Sequence, residues 1–187
     1  VVVPADADPI LITKTFWIPP RVAVVASPQR GRRHYKQAFL TVAEGFDYES
    51  DRWALRVMRA PTKKGKQKNS GNGNFNQILR GLLIQCNGHA DGAALYGAQN
   101  SSFQLRVKDP KFCAVILGNG SRNVALELDL EASFNKRIKV RSTATGLWLN
   151  KCKAQIQGRV NCYGLKRALE IKGCRGISLN ACFENVL

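Results

Sequence analysis

Residues 82–86 read LLIQC, residues 103–107 read FQLRV and residues 124–128 read VALEL, so a short apolar pattern returns every 21 residues. The apolar residues alternate with the others, which is typical of a β-strand with one buried face. A second apolar series follows intervals of 21 or 22 residues through Leu95, Ile116, Ile138, Val160 and Cys182. A fixed interval of this length is typical of a solenoid, in which successive coils stack on one another.

The repeat continues to the end of the sequence. Residues 147–152 read LWLNKC, and residues 169–174 read LEIKGC, 22 residues later. Three short alternating segments fit into each interval, and an antiparallel meander would not return to the same phase after every third strand. Stacked coils that contribute one strand to each of three parallel sheets would do so.

The segments between the strands are rich in glycine and asparagine, as at residues 97–100 (GAQN) and 118–120 (GNG). These residue types adopt the left-handed backbone conformations that sharp bends require. We therefore expect an all-β protein with one solenoid domain over residues 1–187 and about 21–22 residues per coil. Two basic stretches, residues 27–37 and 59–77, are expected to be loops inserted into the coils.

Three segments carry a family resemblance: residues 9–25 (PILITKTFWIPPRVAVV), 92–103 (GAALYGAQNSSF) and 114–124 (AVILGNGSRNV). They resemble the coils of right-handed parallel β-helices of the pectate-lyase superfamily. That superfamily includes pectin-degrading enzymes, other polysaccharide lyases and hydrolases, and phage tailspikes. The resemblance implies a right-handed single-stranded parallel β-helix, and it leaves the activity open because one scaffold of this kind serves many functions.

The charge of the chain predicts a polyanionic partner. The 187 residues include 29 Lys and Arg against 13 Asp and Glu, which gives a net charge of +16. Such a field attracts nucleic acid, acidic polysaccharide or an anionic membrane surface. The 44% content of hydrophobic residues excludes general disorder. No apolar run is long enough to span a bilayer, and no signal peptide is visible, so no membrane span is expected.

Candidate polyanion-binding residues occur in one expected strand and in the two inserted loops. Arg137, Lys139 and Arg141 alternate with Ile138 and Val140, so they share one face of a strand. The loop candidates are Arg30, Arg32, Arg33, Lys63, Lys64, Lys66 and Lys68. A metal-free lyase uses such cations to hold a uronate carboxylate and to abstract the neighbouring proton.

Candidate catalytic residues are few. His89 and Asp91 flank one residue in a glycine-bounded turn and are the expected acid/base pair if the protein is an enzyme. Glu127, Asp129 and Glu131 are expected to share the outward face of a strand, since Leu126, Leu128 and Leu130 would then point inward. The several converging carboxylates of a calcium-dependent lyase and the paired aspartates of a polygalacturonase-type hydrolase are missing. No cofactor and no metal site are predicted.

The six cysteines leave their redox state open. They are Cys86, Cys113, Cys152, Cys162, Cys174 and Cys182. None forms a CxxC pair, and only two histidines accompany them, which argues against a zinc site. Their apolar or small neighbours favour buried thiols, and three disulfides are the alternative.

These observations lead to three functional hypotheses. The first is a binding or structural module, part of a virion tail or another surface assembly, that contacts an acidic polysaccharide. Neither end of the chain shows a cap, so a homo-oligomer or larger assembly is expected to cover the coil ends, at a virion or extracellular surface. The second is a polysaccharide lyase or glycoside hydrolase. The third is sequence-nonspecific nucleic-acid binding, which lacks an evident stacking platform because Tyr35, Trp53 and Trp148 are scattered in the sequence.

Overall fold

The structure is a computed structural model, and it contains only strands and connecting segments. It describes residues 1–3, 8–19, 21–26, 38–57, 74–133 and 143–184. Across these ranges, every pair of neighbouring strands is parallel, and the strands form two sheets. The predicted all-β class and the parallel pairing are therefore confirmed. No helix that could cross a membrane is present in the described ranges.

The larger sheet has ten strands and the smaller sheet has six. The larger sheet consists of β1 (Val2–Val3), β2 (Ile10–Ile12), β4 (Ala23–Ala26), β5 (Ala38–Val42), β7 (Asn74–Phe75), β8 (Ile78–Gln85), β10 (Ala98–Lys108), β12 (Arg122–Glu131), β14 (Ala154–Tyr163) and β16 (Ile177–Glu184). The smaller sheet consists of β3 (Phe16–Ile18), β6 (Trp53–Val57), β9 (Asp91–Tyr96), β11 (Cys113–Gly118), β13 (Thr145–Asn150) and β15 (Arg167–Lys172).

From β8 to β16 the chain alternates between the two sheets, one strand at a time. The order of neighbours is β8-β10-β12-β14-β16 in the larger sheet and β9-β11-β13-β15 in the smaller one. Each repeat therefore adds one strand to each sheet. The expected arrangement, in which each coil contributes one strand to each of three parallel sheets, is therefore wrong for the described residues, which form two sheets.

The main core lies between the sheets. In β12, Val124, Leu126, Leu128 and Leu130 are buried, whereas the residues between them face outward. Buried side chains of β11, such as Leu117, belong to the same apolar cluster. Alternation places one face of β10, β12 and β14 in this core because successive side chains in a strand point to opposite sides.

The spacing of equivalent residues differs from the prediction in the larger sheet. Leu82, Leu105 and Leu128 pair in register, and they are 23 residues apart instead of 21. Both spacings bring apolar residues to the inner face because they differ by two residues, which is one period of the pleat. The next step, from Leu128 to Val160, spans 32 residues and includes residues outside the described ranges.

The predicted alignment of the second apolar series is wrong in the smaller sheet. Leu95 pairs with Leu117, whereas Ile116 pairs with Ala94 and Trp148 on the opposite face of the sheet. Ile138 lies outside the described residues. By contrast, the predicted match of residues 147–152 with residues 169–174 is confirmed by the register of β13 and β15.

The bends between strands stack in columns, as the glycine and asparagine residues predict. Positive φ angles recur after the strands of the smaller sheet, at Gly97, Asn119, Lys151 and Gly173. They recur again near the start of the larger-sheet strands, at Asn76, Asn100, Asn123, Gln155 and Gly176. In the second column, Asn123 Nδ2 donates a hydrogen bond of 2.9 Å to Asn100 Oδ1.

Most of the two predicted basic loops lies outside the described residues. Nothing of residues 27–37 is described, and of residues 59–77 only residues 74–77 are. Within those four residues, β7 pairs with β10 at the edge of the larger sheet.

An aromatic and arginine face on the smaller sheet

The outer face of the smaller sheet gathers all three tryptophans of the chain. One row across the strands runs Trp17, Arg56, Ala94, Ile116, Trp148 and Glu170. We call the following set the aromatic–arginine face: Trp17, Arg52, Trp53, Arg56, Tyr96 and Trp148.

A small apolar cluster supports these rings. It consists of Trp53, Ala94, Cys113 and Ile116, which are at most 3% exposed and are separate from the main core. Tyr96 and Trp148 pack against this cluster and stay partly exposed. Burial on the outer side of a sheet explains why the sequence pattern assigned Ile116 to the inner side: both environments select an apolar residue.

Arg56 lies between two rings of the face. Its guanidinium carbon is 5.7 Å from the ring centroid of Trp17 and 5.7 Å from that of Tyr96. Arg56 Nε also forms an ion pair of 2.9 Å with Asp51 Oδ2. A guanidinium at this distance from a ring is attracted by the negative charge of the ring face. The ion pair and the two rings therefore hold Arg56 in one place.

Arg52 connects the face to a buried carboxylate. Its guanidinium carbon lies 5.3 Å from the Trp53 ring centroid, and its Nε forms an ion pair with Asp91 Oδ2. The Arg52 side chain is 43% exposed, whereas Asp91 is fully buried. Asp91 offsets the unfavourable effect of burial on the charged arginine, and the pKa of Arg52 is raised.

The Asp91 carboxylate also joins two strands. Asp91 Oδ1 accepts hydrogen bonds from the backbone N–H groups of Phe112, at 2.7 Å, and Cys113, at 3.0 Å. The backbone N–H of Asp91 donates to the Arg52 carbonyl at 2.7 Å. The carboxylate thus ties β9 to the start of β11 and orients Arg52.

The two residues of the predicted acid/base pair, His89 and Asp91, differ in exposure to solvent. His89 is exposed in the turn before β9, and its backbone N–H donates to the Cys86 carbonyl at 2.9 Å. In the described part of the chain, no hydrogen bond joins His89 to Asp91. A catalytic role for the two residues stays a prediction.

Part of the face is open to solvent. Trp17 is 44% exposed, and Tyr96 and Trp148 are partly exposed. Trp148 Nε1 and Asn150 Oδ1, two residues further along β13, are buried atoms without a hydrogen-bond partner among the described residues.

A second aromatic group lies beside the Asp91 carboxylate. Lys111 Nζ is 3.8 Å from the ring centroid of Tyr48 and 5.7 Å from that of Phe112. Phe112 is 50% exposed and follows Lys111 in the chain. Lys111 has no ion pair with a described residue, so it adds a positive charge at the edge of the aromatic–arginine face.

The outer face of the larger sheet carries the predicted row of carboxylates. Glu127 and Asp129 are exposed and Glu131 is partly exposed, while the leucines between them are buried, so the expected orientation is confirmed. Each carboxylate has a polar partner on a neighbouring strand: Gln104 for Glu127, Asn161 for Asp129, and Arg106 with Lys108 for Glu131. In the described ranges no group of three or more potential ligands could hold a metal ion.

The polyanion-binding candidates of the sequence all lie outside the described residues. They are Arg30, Arg32, Arg33, Lys63, Lys64, Lys66, Lys68, Arg137, Lys139 and Arg141. Sequence patterns alone do not reveal the aromatic–arginine face because its members are far apart in the chain. One signal was present: Trp148 stands between two inward leucines, so alternation places its ring outside.

Comparisons with known proteins find no relative of this chain. No family model matches the chain, and no curated protein or solved structure is significantly similar to it. The resemblance to the pectate-lyase superfamily therefore rests on the coil segments quoted above.

Proposed function

We propose that the chain is a right-handed parallel β-helix that binds an acidic polysaccharide along its aromatic–arginine face. The regular alternation between two parallel sheets supports a helical winding. A right-handed sense follows from the strong preference for right-handed connections between parallel strands. The family resemblance extends the proposal to a component of a virion tail or another surface assembly.

The gathering of three tryptophans and two arginines on one sheet face is the observation that carries the binding proposal. Trp17 on β3 and Trp148 on β13 are separated by four strand-to-strand steps, which is about 19 Å at the usual spacing. A flat ring presents apolar surface to the apolar side of a sugar ring. The length of the row suits an extended chain of several sugar units lying across the strands.

The charges of the face favour an acidic glycan over a neutral one. The exposed part of Arg52 and the cation of Lys111 can contact a uronate carboxylate or a sulfate group. The net charge of +16 raises the local concentration of any polyanion and speeds its encounter with the protein.

Nucleic acid is the competing ligand, since the face also supplies the stacking platform that the sequence did not reveal. Tight nucleic-acid binding needs many cations for the phosphates. Here Arg52 and Arg56 are already paired with Asp91 and Asp51. The face therefore has little uncompensated charge, which favours a ligand held mainly by contacts with the rings, such as a polysaccharide, over one held mainly through its phosphates.

The first test measures retention of the protein on immobilised acidic polysaccharides and on single-stranded DNA. We expect retention on at least one polysaccharide and weaker retention on the DNA at the same salt concentration. Ultraviolet absorbance of unsaturated uronate ends and a reducing-end assay are followed in the same samples. New ends would contradict the binding-module hypothesis and support the lyase or hydrolase hypothesis. Stronger retention on DNA would contradict the proposal in favour of nucleic-acid binding.

A pair of variants locates the contact. Trp17→Ala removes the most exposed tryptophan, and we expect it to weaken polysaccharide binding about tenfold, the loss of one good contact. Gln157→Ala, on the exposed outer face of β14, is the matched control and should bind like the parent. Equal affinity of the parent and the Trp17 variant would exclude this face as the contact.

A further inference from the structure

Cys152 and Cys174 occupy equivalent positions in successive repeats. The register of β13 and β15 pairs Asn150 with Lys172, and each cysteine follows two residues later. The backbone N–H of Cys152 donates to Cys174 Sγ at 3.3 Å. Neighbouring parallel strands are about 4.8 Å apart, which is inside the range of Cα separations that disulfides span.

No other pair of described cysteines is joined by a hydrogen bond. Cys86, Cys113 and Cys162 are buried at separate places, and burial raises the pKa of the Cys113 and Cys162 thiols to about 12. Cys182 is exposed on the outer face of β16. Among the described cysteines, Cys174 is therefore the one that combines a thiol neighbour, Cys152, with partial access to solvent.

The two thiols of the pair differ in access. Cys174 is partly exposed, and its Sγ lies 3.3 Å from the Lys172 carbonyl oxygen. Cys152 is buried, and its thiol donates to the Leu117 carbonyl at 3.4 Å. Burial and, secondly, the neighbouring Cys174 raise the pKa of Cys152 to about 12. Cys174 is thus the thiol that a reagent reaches first.

We propose that Cys152 and Cys174 are a redox modification site that forms an intramolecular disulfide with a small disulfide oxidant such as oxidised glutathione. In the first step the Cys174 thiolate attacks one sulfur of the oxidant, the oxidant's S–S bond breaks, and one glutathione thiolate leaves. In the second step Cys152 loses its proton to water, turns away from the Leu117 carbonyl and attacks the Cys174 sulfur. The second glutathione leaves as a thiolate, so two protein thiols are oxidised and one oxidant is reduced to two thiols.

The cross-link would fasten the last described repeat, which exposes apolar side chains, to its neighbour. β15 and β16 are the outermost strands of the two sheets at this end of the described structure. Ile171 of β15 and Phe183 of β16 are 50% and 46% exposed. A bond between the ends of β13 and β15 restricts separation of this repeat, and it removes conformational freedom from the unfolded chain.

The test compares protein treated with oxidised glutathione and protein treated with dithiothreitol, both under native conditions. We expect a mass loss of about 2 Da, from two hydrogens, and a peptide linkage between Cys152 and Cys174. The oxidised form should melt about 5 °C or more above the reduced form. Slower hydrogen exchange in β15 and β16 should accompany the higher melting temperature.

Three cysteine variants identify which thiols react. Cys174→Ser should abolish the disulfide, and Cys152→Ser should stop the reaction at a mixed disulfide on Cys174, whereas Cys182→Ser should behave as the parent. Melting curves of the reduced variants establish that each is folded. A disulfide mapped to other cysteines, a dimer linked through Cys182 while Cys152 and Cys174 stay reduced, or no oxidation of the folded parent would each overturn the proposal.

Discussion

The outer faces of the two sheets differ although their inner faces share one core. On the larger sheet, charged and amide side chains such as Arg106, Glu127 and Asp129 pair with partners on neighbouring strands. On the smaller sheet, aromatic rings cover a second apolar cluster and enclose arginines that are paired with aspartates. The inner faces build the fold, and the difference between the outer faces indicates where a ligand would bind.

The two outer faces should also differ in how much their contacts contribute to stability. Exposed ion pairs and cross-strand polar pairs contribute about 0.2–1 kcal/mol each, because water competes for the same groups. The cluster around Ile116 is as well buried as the main core. Substitutions should therefore be tolerated on the outer face of the larger sheet and costly on the outer face of the smaller one.

The largest effect is expected from breaking the inner face. Leu128→Asp places an unpaired carboxylate in the main core and should lower the free energy of unfolding by about 4 kcal/mol or more. Its outward neighbour provides the control, since Asp129→Ala loses a hydrogen bond from Asn161 on an exposed face and should cost less than about 1 kcal/mol. Denaturant titration of both variants measures the difference in their free energies of unfolding. Equal stabilities would contradict the inward orientation of Leu128 and the outward orientation of Asp129.

A somewhat smaller loss is expected at the second cluster. Ile116→Asp inserts a charge beneath the aromatic–arginine face and should cost about 3 kcal/mol, less than in the main core because the partly exposed rings can move aside. The same denaturant titration measures it, with tryptophan fluorescence as the probe. A variant that unfolds like the parent would show that this cluster is open to water.

The third prediction is that Asp91 contributes more to stability than His89 does. Asp91→Asn removes the charge that faces Arg52 and weakens two hydrogen bonds from the backbone, so it should cost about 2 kcal/mol. His89→Ala alters an exposed turn and should change stability by less than about 0.5 kcal/mol. Thermal melting compares the two variants, and a costly His89→Ala would contradict the exposed position of that side chain.

The smallest effect concerns the strand cations predicted from sequence. Replacing Arg137, Lys139 and Arg141 together by alanine removes three charges, and we expect binding to an acidic polysaccharide to weaken about fivefold with a smaller dependence on salt. Trp17→Ala, by contrast, should weaken binding more and leave the salt dependence unchanged. A larger loss in the triple variant would move the contact surface from the aromatic–arginine face to this basic segment.

Local patterns were sufficient for several features. Alternation predicted the inward leucines of β12 and the outward carboxylates between them, because a strand has only two faces. The match between residues 147–152 and 169–174 was also correct, since no insertion separates β13 from β15 beyond the usual turns. The 21-residue spacing in the larger sheet was wrong by two residues, and apolar patterning cannot distinguish registers that differ by one pleat period.

The sequence by itself determined an all-β chain with parallel strands, stacked bends and a positive charge. Tertiary structure alone decided how the strands outside the match of β13 with β15 line up, and so it brought Trp17, Trp53 and Trp148 to one face. The neighbouring positions of Cys152 and Cys174, by contrast, follow from the 22-residue match in the sequence. The physical reason is that alternation records only whether a side chain points inward or outward. The neighbour across the sheet depends on the number of residues in each connection, and apolar patterning does not constrain that number.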